Sequence, residues 1–120
     1  MTVLITNGIL NFEVPRNGHC VREIVLRDKG GDVIDLTGHS FAVDAKEVAG
    51  GGSVLASAIV NIVDATTGTI EIIWDGSDFD AFGSQFETVR VAYDIKDTYP
   101  DGLIDIPFRG QLFIIPEVTL

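Results

Sequence analysis

The stretch Thr67-Gly-Thr-Ile-Glu-Ile-Ile-Trp-Asp75 places Ile70, Ile72 and the only tryptophan, Trp74, on alternate positions. A period of two puts these three side chains on one face of a β-strand. The turn sequence Asp64-Ala-Thr-Thr-Gly68 precedes the strand, and a polar loop follows from Asp75. Val89, Val91, Tyr93 and Ile95 form a second alternating run, the natural partner of the first. The two strands are expected at the centre of a β-sandwich, with Trp74 buried between its sheets.

Further short strands flank this centre. Leu10, Phe12 and Val14 alternate up to Pro15, which ends a strand or marks a sheet edge. After the turn Asn17-Gly18, Cys20, Ile24 and Leu26 share one phase, which Arg22 breaks. Asp28-Lys-Gly-Gly-Asp32 reads as a hairpin turn, because paired glycines permit positive φ. Val33 to Leu36 is a short run, and Phe41, Val43 and Ala45 alternate after the turn Thr37-Gly38. Gly50-Gly51-Gly52 is expected to be a connection outside any strand. Val54 to Val63 reads as one strand with Ala56, Ala58, Val60 and Ile62 on one face. Phe79 and Phe82 stand three apart, which fits one helical turn of at most about six residues packing two rings across the end of the sandwich. Asp75 or Ser77 is placed to cap it. Leu112 and Ile114 mark the last strand, which Pro116 ends.

About eight strands at even spacing indicate an all-β sandwich of antiparallel strands, with one helical turn. The chain of 120 residues fits a single domain, 1–120, long enough to bury a core without disulfides or metals. Residues 1–8 read as an extra N-terminal strand or assembly arm.

A net charge of −10, from 18 acidic and 8 basic residues, argues against a nucleic-acid backbone or an anionic membrane as partner. The lone Cys20 excludes an intrachain disulfide, is compatible with cytoplasmic synthesis and fits a small buried side chain. Met1 to Gly8 lacks the basic and long apolar regions of a signal peptide, and no run approaches a membrane span.

Two acidic loops, Asp75, Asp78, Asp80 and Asp97, Asp101, Asp105, are oxygen-rich. Asp97, Asp101 and Asp105 are weak candidates for a calcium site, since no glutamate closes the ligand set at helix-flanked loop spacing. His19 and His39 sit on different segments. No nucleophile elbow, phosphate loop or triad order is present, so no catalytic residue, cofactor or obligatory metal is expected. Trp74 and Tyr93 would form a sugar platform only if exposed; Tyr99, in the loop around Pro100, is the better candidate for an exposed aromatic.

Several stretches together resemble the immunoglobulin-like β-sandwich domain of bacteriophage tail and baseplate proteins, similar to the N-terminal domain of upper baseplate proteins. They are Pro15-Arg16-Asn17-Gly18, then Asp28-Lys-Gly-Gly-Asp-Val-Ile-Asp-Leu-Thr-Gly38 before Phe41, then Asp64-Ala-Thr-Thr-Gly-Thr-Ile70. Tyr93-Asp94-Ile95, Gly102, Gly110 and Pro116-Glu-Val-Thr119 complete the series, which covers the chain from about Phe12 to its end. The resemblance implies an immunoglobulin-like sandwich and a non-enzymatic virion part, made in the bacterial host cytoplasm and working by docking to other virion structural proteins. Many copies in a symmetric assembly are implied as well. Such domains are often followed by a stem or receptor-binding region, whereas this sequence ends at Leu120. A small tail, connector, baseplate or capsid-decoration part is therefore expected. The competing reading is a carbohydrate-binding or host-surface adhesion module, which an exposed aromatic near Asp97 to Asp105 would support.

The apolar run Val3, Leu4, Ile5 and the terminal Leu120 are the candidate interface residues. A sandwich of seven or eight strands can be built from Phe12 onward, so the N-terminal run is spare. Spare strand-formers add to a sheet edge, their own or a neighbour's.

Overall fold

The computed structural model describes residues 2–5, 8–28, 30–48, 51–82 and 86–116, with the backbone alone at 2–5 and 51. Its strands are β1 Thr2–Ile5, β2 Gly8–Ile9, β3 Phe12–Pro15, β4 His19–Leu26, β5 Ser40–Val48 and β6 Gly51–Ser57. They continue as β7 Ile59–Asp64, β8 Thr69–Asp75, β9 Val89–Thr98, β10 Ile104–Asp105 and β11 Phe108–Ile115. One sheet has the order β1-β4-β8-β7. The other has the order β2-β11-β9-β5-β6, with β3 also on β11 and β10 also on β9. The molecule is an all-β sandwich, with eight strands from β3 onward apart from the two-residue β10, against the seven or eight expected from Phe12.

Alternation decides what is buried. Ile70, Ile72 and Trp74 of β8 are fully enclosed, as are Ile24 and Leu26 of β4. From the other sheet Val43, Val91, Tyr93, Ile95, Leu112 and Ile114 meet them in one core. Trp74 and Tyr93 touch edge to face, with ring centroids 5.9 Å apart, an arrangement the ring quadrupoles favour.

That contact corrects one expectation. The Val89 strand is not the hydrogen-bonded neighbour of β8. Both sides of β8 are taken, by β4 and β7, and β9 lies across the core in the other sheet. Alternation reports which face is apolar, and two facing strands show the same pattern as two paired ones.

Val54 to Val63 is likewise two strands. The chain leaves one sheet at Ser57 and enters the other at Ile59. Ala58 makes the crossing, its N–H donating to the Val43 carbonyl at 2.9 Å. The apolar phase runs on through the crossing because both sheets face the same core. It fades at Ile62, which is exposed. Two of the three glycines expected in a connection begin β6 instead. Gly52 has φ of 80°, and the pairing with β5 shifts register there, so the glycines form a bulge. The run from Val33 is reduced to a single bridge, Arg27 to Val33.

Short polar motifs set the turns. Asp35, Asp64 and Asp75 each accept the backbone N–H two residues on, and each also accepts that residue's hydroxyl, from Thr37, Thr66 and Ser77. These hydroxyls hold all three carboxyls below the ordinary aspartate range. Asp75 thereby caps the 3-10 turn Gly76–Phe79, four residues long. Phe79 is buried against Trp74 and Phe82 is partly buried, as their spacing implied. Gly76 is required there: a Cβ would lie 1.8 Å from the Pro15 carbonyl oxygen. The same end is clamped by Arg16, buried, whose guanidinium donates to the Phe79 and Phe82 carbonyls at 2.9 and 3.3 Å.

Candidate docking surfaces

The acidic loop proposed for calcium does not converge. Asp97 lies inside the sandwich end, where its carboxylate meets His39 Nδ1 at 2.8 Å, with 6% and 2% of the His39 and Asp97 side chains exposed. Asp101 accepts the Leu103 N–H and Asp105 accepts the Ile106 N–H. Among the described residues no three His, Cys, Asp or Glu side chains meet in a way that would hold a metal ion. Asp75, of the other acidic loop, is taken up by its cap on Ser77.

The His39–Asp97 pair escaped the sequence reading because 58 residues separate its partners. Burial raises the Asp97 carboxyl above its ordinary range, and the hydrogen bond and charge of His39 oppose that shift. The pair is closed off by Tyr99, whose ring centroid is 4.5 Å from that of His39. Tyr99 is therefore half-buried rather than an exposed platform. Trp74 and Tyr93 are core residues. Cys20 is buried too, and desolvation raises its thiol pKa, which disfavours the thiolate.

The surfaces that distinguish this domain are its two outer sheet faces. On the four-stranded sheet, register sets Val21, Ile73 and Ile59 side by side across β4, β8 and β7. Val21 is 48% exposed and Ile59 is 61% exposed, with Ile73 between them. The next row is Glu23, Glu71 and Asn61. Among the described side chains, no Lys or Arg occupies an outward position on these three strands. Arg22, in phase with Cys20, donates to the Val21 carbonyl.

The seven-stranded sheet differs. Its outward positions on β5, β9 and β11 carry Lys46, Arg90, Lys96 and Arg109, half of the chain's eight Lys and Arg. The carboxylates at outward positions of the same strands are Asp44 and Asp94, and β3 adds Glu13 at the rim. At the middle sits Ala92, between Gln111 and Lys46. A short side chain among long ones leaves a shallow recess of about 190 Å³, lined in part by Lys46, Ala92, Asp94 and Arg109.

Of the interface residues proposed from sequence, Val3, Leu4 and Ile5 lie in β1, which forms one edge of the four-stranded sheet and runs parallel to β4. The segment thus pairs within its own domain, and the far side of β1 remains a sheet edge. Leu120 lies outside the described residues. The other edge is β7, where Ile59, Ile62 and Val63 are exposed.

No family model matches the chain, and no curated protein matches it. Among solved structures it is similar to the N-terminal domain of phage TP901-1 ORF48, with 15% sequence identity and a TM-score of 0.45. The likeness covers 98% of this chain and 99% of that one. No helix among the described residues is long and apolar enough to cross a membrane.

Proposed function

We propose that this chain is a non-enzymatic structural component of a bacteriophage virion. It serves in a tail, baseplate, connector or capsid-decoration position and works by docking to neighbouring structural subunits in multiple copies. The observation that carries this reading is the outward apolar row Val21, Ile73, Ile59, exposed at Val21 and Ile59, which ends on the edge strand β7. A closed core already satisfies the fold, and a contiguous apolar surface outside it marks a contact site. An edge strand without Lys or Pro is a liability in a lone protein and a joint in an assembly.

The order of sequence motifs resembling phage tail and baseplate domains supports the same reading. So does the strand order, which follows the immunoglobulin pattern: β4, β8, β7 take the B, E, D places, and β6, β5, β9, β11 take the C′, C, F, G places. On this reading the protein is made in the host cytoplasm and resides in the particle. Mass spectrometry of purified particles tests it. The chain should be present at a fixed copy number per particle; a preparation of intact particles without it would refute the virion role.

A further inference from the structure

We propose that β7 is a strand-addition site: an extended segment of a neighbouring protein pairs antiparallel with residues 59–62 and continues the four-stranded sheet. The inference rests on the docking role above and names the partner's chemistry. That partner is a main chain in β conformation with apolar side chains opposite Ile59, Val60 and Ile62 and a polar one opposite Asn61.

The main chain of β7 asks for a strand. β7 ends its sheet, and residues 59–62 pair with β8 in unbroken register, from Ile59 with Ile73 to Ile62 with Ile70. Beyond that ladder, these four residues make no main-chain hydrogen bond among the described residues. In an antiparallel ladder alternate residues turn both N–H and C=O away from the partner, so the edge presents donors and acceptors at the spacing of another strand.

The side chains say which strand. Ile62 stands in the core phase opposite the sealed Ile70, yet it is 40% exposed. Val60, opposite the sealed Ile72, is only partly buried. The inner side of the sheet is thus open along β7, and apolar side chains from an added strand close it. On the outer side the row Val21, Ile73, Ile59 stops at an exposed Ile59, and an added strand supplies its next member. Between them Asn61 donates to Glu71 Oε1 at 3.3 Å, in a polar row that a polar neighbour extends. Read from its own N-terminus, the added strand is apolar, polar, apolar, apolar. Ile70-Glu71-Ile72-Ile73 of β8 presents that same pattern to the paired side of β7.

The edge of the other sheet lacks this regularity. β6 opens with Gly51 and Gly52, and its pairing with β5 shifts register twice, which bends an edge away from further pairing. On β7 the register shifts only after Ile62, and the strand contains no Lys or Pro.

A synthetic strand tests the site. The probe is the acetylated, amidated peptide Lys-Thr-Val-Thr-Val-Val-Thr-Lys, titrated to millimolar concentration into the full chain labelled with nitrogen-15. Amide resonances of residues 59–62 should move, and at saturation these amides should exchange with deuterium at least about tenfold more slowly. Two further peptides carry N-methyl groups on alternate residues, in opposite phase. The one methylated on its pairing edge should bind at least about tenfold more weakly, and the other should bind like the parent peptide. Ile59→Lys should weaken binding as well, with circular dichroism confirming the fold; if that variant unfolds, Ile59→Thr replaces it.

The proposal fails if no peptide binds, if both methylated peptides bind alike, or if the shifts gather at β1 or on Val21 and Ile73 without residues 59–62. Self-association of the chain alone through β7, seen by sedimentation, would make the occupant a second copy and overturn it too. Failure of the peptide to bind, with the chain present in purified particles, would end strand addition and leave the virion role standing. Binding at β7 by a chain absent from particles would do the opposite.

Discussion

Ile72 and Ile73 are consecutive residues of one strand with opposite surroundings. Ile72 is sealed in the core, and Ile73 lies in the outward apolar row between Val21 and Ile59. The inner face of the four-stranded sheet stabilises the monomer. Its outer face, built from the intervening residues of the same strands, is open to solvent at Val21 and Ile59. The contrast shows how one alternating pattern can supply a core and an outward apolar row together, because each strand presents two faces.

The sharpest way to break this contrast is at Trp74. Trp74→Ala removes a fully buried ring that touches Phe79 and Tyr93, and should destabilise the domain by about 3–5 kcal/mol in urea unfolding. A loss comparable to that of an outward substitution on β8 would erase the distinction between the faces.

Arg16→Ala probes the sandwich end. It strands the Phe79 and Phe82 carbonyls and should cost about 1–3 kcal/mol. Arg16→Lys should recover only part, since an ammonium does not reproduce the guanidinium fork. Full recovery by lysine, read by thermal melting, would show that charge alone matters there.

A smaller effect concerns pH. The Asp97 carboxyl is raised in the folded state, chiefly by burial. Its contribution is therefore fully present below the ordinary aspartate range and is lost as pH rises through the raised value. Asp97→Asn keeps an oxygen for His39 and removes this dependence. Relative to the parent, Asp97→Asn should gain stability from acid to neutral pH. Parallel stability curves across that range would contradict the assignment.

The smallest stability change is expected on the outer face. Glu71 stands directly opposite Glu23 on the neighbouring strand, and like charges so placed repel. Glu71→Lys should leave the domain slightly more stable, by about 0.2–1 kcal/mol in urea unfolding. A large loss of monomer stability would mean that the outer face supports the fold after all.

Much of this architecture was legible residue by residue. Ile70, Ile72, Trp74, Cys20, Val91 and Leu112 were assignable to the core because period-two alternation is a local signal. The 3-10 turn and its cap were legible from Phe79, Phe82 and Asp75. The proposed docking surface was less so. Which residue stands beside Ile73 depends on strand register, and neither Val21 nor Ile59 is near it in sequence.

What the sequence determined by itself is local: strand faces, turn positions, acidic balance and the want of a motif for catalysis. Tertiary structure alone decided that β9 faces β8 rather than pairing with it, that Ala58 carries the chain between sheets, and that Asp97 meets His39. It also decided that half the Lys and Arg gather on one outer face while Glu23, Glu71 and Asp75 lie on the other. The physical reason is one of range. Alternation and turn chemistry act over a few residues, whereas pairing partners, buried polar pairs and surface charge patterns are set by contacts between segments far apart in the chain.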